Sequence, residues 1–275
     1  MQRRTRERAQ GEPVRKATVL ALVIAGVLAV AYGAWYRPAL APVNPADSRP
    51  QLVHVQRGMS ARGVVNLLRR TGLVRSRMAT LLYAAATRQA TKLRPGYYDL
   101  APSMSTPEIV ETIASGRIAQ RKVVVVPGLT LRQIADRVDR SGLASRRDFL
   151  AVAAVARNFS GEVSFPLPEG KSVEGYLFPA TYQFPVGTTP AQIISRMLQA
   201  FEVNFYRPNC HEIERSPLGL HGLVTLASMV EREAAVDEER PVIAGVLVNR
   251  LRMGWKLQCD ATVQYALGRH KPRLL

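Results

Sequence analysis

The spacing of apolar positions divides this chain into stretches of different character. From Ala17 to Tyr36 no residue is charged, and a run of about 20 apolar residues is enough to span a bilayer as a helix. Between Val53 and Ala156, short apolar runs alternate with segments whose apolar residues recur every three or four positions, so short strands and amphipathic helices are expected to alternate. Further on, Leu226, Met229, Val230 and Glu233 fall at i, i+3, i+4 and i+7, which places them on one face of a helix. That face must be the one turned to the core, and it ends on an acid. Glu231 points the other way. A carboxyl group deprived of water holds its proton more readily, as a general acid must. The alternative reading of Glu233 is structural: the stripe ends at a wet helix terminus, or the carboxylate pairs with an arginine. Periodicity leaves both readings open.

The uncharged run comes after a basic segment, residues 1–16, containing Arg3, Arg4, Arg6, Arg8, Arg15 and Lys16. Basic flanks stay in the cytoplasm, so residues 17–36 are expected to form a transmembrane helix with Trp35 and Tyr36 at the far interface. A cleaved signal peptide with a site at Ala29-Val30-Ala31 is the competing reading; the run is longer than most such cores, which favours an anchor. Either way the remainder lies outside the cytoplasm. Residues 37–50 hold Pro38, Pro42, Pro45 and Pro50 and read as an extended spacer.

The next region contains an internal repeat at an offset of 70 positions: Val53, Gly58, Arg62, Gly72 and Leu73 recur as Val123, Gly128, Arg132, Gly142 and Leu143. Each copy reads as a strand, a Gly turn, an N-cap (Ser60 or Thr130), an amphipathic helix, a Gly-Leu stop and a second helix, suggesting two related small α/β units. Lys92 to Leu100 reads as a strand entered through Pro95-Gly96, and Ser105-Thr-Pro-Glu108 opens a helix ending at Gly116. The repeated arginines are most simply a solvated face, with an anionic glycan as the alternative partner.

From Phe159 the chain becomes loop-rich. The cluster Tyr176, Phe178, Tyr182 and Phe184 beside Glu174 suits either the wall of a sugar cleft or a small core fixing the loop. Thr189-Pro190 starts a helix with Ile193, Ile194, Met197, Leu198 and Phe201 on one face. Pro241 to Arg252 reads as another amphipathic helix ending at Gly254. In Leu257 to Tyr265, Gln258, Asp260 and Thr262 alternate, so an extended segment would carry a polar row suited to a hydroxyl-rich ligand.

Composition narrows the partners. With 275 residues and 47% apolar content the chain can bury a real core, and a formal charge of +17 suits an anionic partner such as nucleic acid, phospholipid or an acidic wall polymer. The chain lacks the interleaved aromatics of single-strand binders and any recognisable DNA-reading motif, so no nucleic acid is expected. Cys210 and Cys259 have no metal-ligand spacing; no metal is expected, and a disulfide or two free thiols remain open.

Four motifs carry a resemblance to a known family. Glu174-Gly-Tyr-Leu-Phe-Pro-Ala-Thr-Tyr182, Leu226-Ala-Ser-Met-Val-Glu-Arg-Glu233, Asn249-Arg-Leu-Arg-Met-Gly254 and Leu257-Gln-Cys-Asp-Ala-Thr-Val-Gln-Tyr265 resemble, in order and spacing, the YceG-like endolytic murein transglycosylases. The resemblance implies an α+β protein: a cytoplasmic tail (residues 1–16), a transmembrane helix (17–36), a spacer (37–50), a LysM-like module (51–120) and an α/β catalytic domain (121–275). It places the protein in the cell (inner) membrane as a single pass, acting outside the cytoplasm on peptidoglycan glycan strands, without a cofactor and beside peptidoglycan synthases. The family's catalytic glutamate corresponds to Glu233. Glu174, Tyr176, Tyr182, Asn249, Gln258 and Asp260 are the candidates for binding substrate. Ala180 stands where many relatives have Asp, and Cys259 where Ser or Thr is common. Relatives continue beyond the Asp260 motif, so the catalytic domain is expected to be incomplete at its C-terminus. Two rival readings stand beside this one: a lysozyme-like muramidase, with Glu174 or Asp260 as a second carboxylate, and an anchored wall-binding protein whose catalytic domain is inert.

Overall fold

The structure, a computed structural model, describes residues 18–30 and 32–267. The basic segment 1–16 and Ala31 of the alternative cleavage site lie outside the described residues. The chain divides into two compact units, one ending at Ala119 and one beginning at Gln120.

The first unit opens with helix α1 (Thr18–Leu40), whose most apolar window has a mean hydropathy of 2.1 and buries nothing. It is long and apolar enough to cross a membrane. Near its end, Tyr32–Tyr36 form a π-helical turn directly before Arg37-Pro38. Proline lacks an N–H and crowds the carbonyl four residues back, and a widened turn relieves that clash. The helix therefore runs four residues into the stretch expected to be spacer. The rest of that stretch is tied down as well. Arg75 Nε and Nη2 donate to the carbonyls of Pro42 and Val43 at 2.8 and 3.2 Å, the Asn44 N–H donates to Pro102 O at 3.0 Å, and the Ser103 N–H donates to Asp47 O at 3.0 Å.

Strand β1 (Gln51–Val55), helices α2 (Ala61–Arg70) and α3 (Arg77–Ala86), strand β2 (Gly96–Leu100) and helix α4 (Thr106–Ser115) complete this unit. β1 and β2 pair antiparallel with Val53 opposite Tyr98. Their inner faces pack on Leu68, Ile109 and Ile113. Ser60 caps α2 through the Gly63 N–H, and Ser105 with Glu108 forms a capping box on α4, as the turn chemistry predicts.

The second unit repeats the opening design. Strand β3 (Gln120–Val124), α5 (Leu131–Arg140, capped by Thr130) and α6 (Arg146–Ala153) return through a largely irregular excursion to strand β4 (Thr181–Pro185), which pairs antiparallel with β3, Val123 opposite Tyr182. Helices α7 (Pro190–Phe201), α8 (Arg207–Arg215), α9 (Gly219–Glu233), α10 (Arg240–Arg252) and α11 (Asp260–Leu267) come next. Another π-helical turn, Glu202–Tyr206, again precedes an Arg-Pro pair, Arg207-Pro208. The expected apolar face of α7 is wholly buried, packed with Phe149, Phe159, Phe165 and Tyr176. Among the described residues each unit holds one two-stranded antiparallel sheet, so the second is α+β rather than the α/β domain expected.

Ile194→Ala removes a side chain that is 0% exposed, and the cavity it leaves is expected to cost about 2–5 kcal/mol. Thr130→Ala, which only uncaps α5, is expected to cost about 1 kcal/mol. Chemical denaturation followed by far-ultraviolet circular dichroism would rank the two.

Candidate active site

Helix α9 presents its two acids to different surroundings. Glu231 is partly buried; its Oε2 lies 3.1 Å from Arg240 Nη2, at the start of α10. Its Cγ lies over the turn that opens α5, where a Cβ on Gly128 would come to 3.4 Å of it. Gly128 has φ +74°, so the turn needs glycine for its backbone as well as for this approach. Glu231 thus acts as a structural tie.

Glu233 is the last residue of α9 and is exposed, which corrects the expectation that its carboxyl is desolvated on a core face. The stripe before it does pack: Leu226, Met229 and Val230 join Leu247 and Cys259 in a small cluster of their own. The acid sits at the solvent edge of that cluster, where the helix ends. Glu233 instead lines a cavity of about 610 Å³, a size typical of ligand sites. Val242, Ile243, Val246, Leu247 and Leu257 make the apolar wall, with Glu238, Glu239, Arg250 and Gln258 as the other polar groups.

The loop after α10 supplies one side. Leu257, Gln258 and Cys259 all line the cavity, which an extended strand would not allow because successive side chains alternate. Gln258 has a left-handed backbone, φ 52°, uncommon outside glycine, and α11 begins at Asp260. The expected extended row of Gln258, Asp260 and Thr262 is therefore not formed. Gln258 reaches the cavity; Asp260 occupies the first turn of a helix, where the macrodipole favours an acid; and the Thr262 hydroxyl donates to the Cys259 carbonyl at 2.7 Å. Arg250 donates to the Leu257 carbonyl and holds the loop in shape. Asn249 is exposed on α10 and does not line the cavity.

The aromatic cluster is a core and no sugar platform. Tyr176 is 0% exposed and stacks on Phe165 at 5.9 Å between ring centroids, and Tyr182 is buried with its hydroxyl donating to Phe178 O at 2.6 Å. The Tyr176 oxygen lies 3.0 Å from His221 Nδ1, while Lys171 Nζ lies 3.1 Å from Nε2. An ammonium only donates, so Nε2 accepts and Nδ1 donates to Tyr176. Burial, and then Lys171, lower the His221 pKa, in keeping with a neutral ring.

Both carboxylate oxygens of Glu174 have partners. Its Oε1 accepts the Leu131 N–H at 3.0 Å, and its Oε2 accepts the Tyr265 hydroxyl of α11 at 2.6 Å. Gly175 beside it has φ +88°, and a Cβ there would meet Val224 Cγ1 of α9 at 2.8 Å. The Glu174-Gly-Tyr motif fastens α5, α9 and α11 together and lies away from the cavity wall.

Periodicity missed Glu238, Glu239 and Arg250. Glu239 accepts the Ala235 N–H at 2.9 Å, and its place in the Asp-Glu-Glu run before α10 was the available signal. Cys210 and Cys259 are free thiols. Burial, and next the Glu233 carboxylate, push the Cys259 thiol up.

The sequence pattern of the YceG-like family matches residues 53–275, and the chain belongs to that family. It is 31% identical over 252 residues to the endolytic murein transglycosylase of Streptococcus pneumoniae serotype 2 (strain D39 / NCTC 7466), covering 84% of this chain and 45% of that protein. The endolytic murein transglycosylase of Bacillus subtilis (strain 168) is 28% identical over 265 residues, covering 92% and 72%. The chain thus spans about half the length of the pneumococcal relative. Among solved structures, a YceG-like protein from Listeria monocytogenes superposes with a TM-score of 0.51 at 30% identity, covering 82% of this chain and 77% of that one.

Tyr176 and Tyr182 by burial, and Tyr265 chiefly by its hydrogen bond to Glu174, are pushed up to about 12 from the ordinary 10.0. The fold favours the neutral phenol, so the stability these groups contribute is complete below pH 10 and is lost as pH rises towards 12. Absorbance titration should show them ionising near pH 12 or on unfolding. Tyr265→Phe is expected to remove one of these late phenols and speed amide exchange across residues 260–267, leaving α7 unchanged.

Proposed function

We propose that this chain is a membrane-anchored endolytic lytic transglycosylase that cuts the β-1,4 bond between N-acetylmuramic acid and N-acetylglucosamine within peptidoglycan strands. One observation carries the reading: of the two acids in Glu231-Arg-Glu233, the first pairs with Arg240, and the second lines a partly apolar cavity of about 610 Å³. Glu233, acting as general acid, gives a proton to the departing O4 of N-acetylglucosamine. As a carboxylate it then takes the proton of the muramic acid 6-hydroxyl, whose oxygen closes on C1 to leave a 1,6-anhydro end. No water is consumed, and one carboxyl serves both transfers because the nucleophile belongs to the substrate. Gln258 and Arg250 are the neighbouring groups suited to orienting hydroxyls or acyl groups. Asn249 and Asp260, off the cavity wall, would act only on sugars reaching past it.

The basic flank and α1 support an anchor with its N-terminus in the cytoplasm and both units outside it. The first unit, strand-helix-helix-strand with an excess of arginine, is the reading's LysM-like glycan-binding module. Work beside the membrane implies newly made strands as substrate and peptidoglycan synthases as neighbours.

Glu233→Gln is expected to lower cleavage of purified sacculi by roughly 10²–10⁴-fold, the usual worth of a general acid-base. Glu231→Gln should reduce stability while leaving the product unchanged. Mass spectrometry of the fragments decides the chemistry, since anhydro ends are lighter than reducing ends by one water. Reducing ends would replace this reading with a muramidase in which Glu238, on the same cavity, is the second carboxylate; sacculus binding with no cleavage that Glu233→Gln abolishes would leave only a wall-binding protein.

A further inference from the structure

Helix α3 is apolar on the side that faces away from its own unit. Ala79, Thr80 and Ala84 are buried, whereas Met78 is 61% and Leu82 48% exposed, with exposed Ala85 on the same face and Leu81 half-buried beside it. These outward positions fall on one face, and a helix that is apolar all round belongs in a core or in lipid. The neighbouring helices differ: α2 turns Arg62, Arg69 and Arg70 to the surface, and α4 turns Glu111.

Two further observations say what covers that face. The last turn of α1 packs against α3, and Arg75, just before α3, holds the following segment through Pro42 and Val43, so α3 is fastened to the end of the apolar helix. Tyr32 and Trp35, exposed near that end, are the side chains that settle at a bilayer interface. From Tyr36 to Leu40 the helix rises only about 6 Å, within the roughly 5–8 Å of headgroup layer on each side of a bilayer. Charge agrees. Residues 51–119 hold ten Lys and Arg against three Asp and Glu, and Arg75, Arg77 and Arg88 are exposed at the two ends of α3.

We propose that the outward face of α3 lies in the membrane surface, with Met78 and Leu82 inserted among the lipids and the flanking arginines on anionic headgroups. The inference rests on the reading of α1 as a membrane anchor. Its consequence is that the first unit is held flat against the bilayer in one orientation, with the strand edge carrying Gln51 and the outer arginines of α2 left to meet the wall.

The test uses the full chain in nanodiscs containing phosphatidylglycerol, with an environment-sensitive fluorophore on Met78→Cys or Leu82→Cys and the unsubstituted chain as the blank. Val27→Cys in α1 and Arg69→Cys on α2 are the references. Labels at 78 and 82 are expected to shift to the blue and to lose intensity to spin-labelled lipid more than the label at 69, while resisting aqueous iodide. Loss of the blue shift in purely zwitterionic nanodiscs would add the arginine contribution. Quenching at 27 but not at 78 or 82, with iodide reaching both, would overturn the proposal and leave the anchor standing. Protection from both quenchers, with Leu82→Cys crosslinking between copies, would overturn it in favour of a protein contact. Absence of lipid quenching at 27 would remove the anchor itself.

Discussion

The carboxylate of Glu174 is the tie on which the second unit's site depends. One oxygen closes the first turn of α5, the other holds α11 through Tyr265, and the adjacent glycine lets the backbone come against α9. Glu231 adds a second tie, reaching from α9 to Arg240 and over the Gly128 turn. Between them these contacts fix the direction of α9, and so the place where its last residue, Glu233, enters the cavity. A charge-assisted hydrogen bond is worth more than a neutral one, and leaving such a carboxylate without partners costs more still, so these acids are poor candidates for leaving the frame to bind a ligand.

The cavity wall is assembled on a slighter base. Leu226, Met229, Val230, Leu247 and Cys259 form a cluster separate from the main core of Phe149, Tyr176, Met197 and their neighbours. Val242, Val246 and Trp255 stay exposed around it. A site built on few buried contacts sits at the low-stability end of a fold, where segments open most readily. Under the proposed function, that would suit a groove admitting and releasing a glycan strand beside a rigid core.

The first unit shows the complementary arrangement. Its small core is closed by two antiparallel strands and three helices, and its attachments run back to the end of α1 through Arg75, Asn44 and Asp47. The stretch after the apolar helix is thus a bracket. Its prolines keep it extended while its carbonyls and amides take partners from the unit it joins.

Much of this was legible in the chain. The repeat at 70 positions, the caps at Ser60, Ser105, Thr130 and Thr189, the buried face of α7 and the uncharged run of α1 all arise from local rules, because turns, caps and amphipathic spacing act over a few residues. The four motifs likewise marked Glu233 as the acid to watch. What the sequence could not decide was where each motif residue points. Tyr176 and Tyr182 look the same whether they face a sugar or Phe165; Glu174 becomes a tie only because α5 and α11, 43 and 91 residues away, arrive at its two oxygens. Gln258 breaks the expected alternation by a left-handed backbone that no residue type announces. Glu233 shares its helix face with an apolar stripe, yet the helix ends there and the side chain opens to the cavity. Sequence by itself determined the elements and the residue types; tertiary structure decided that Glu174 and Glu231 serve as ties while Glu233 lines the cavity, because that depends on partners brought together from distant parts of the chain.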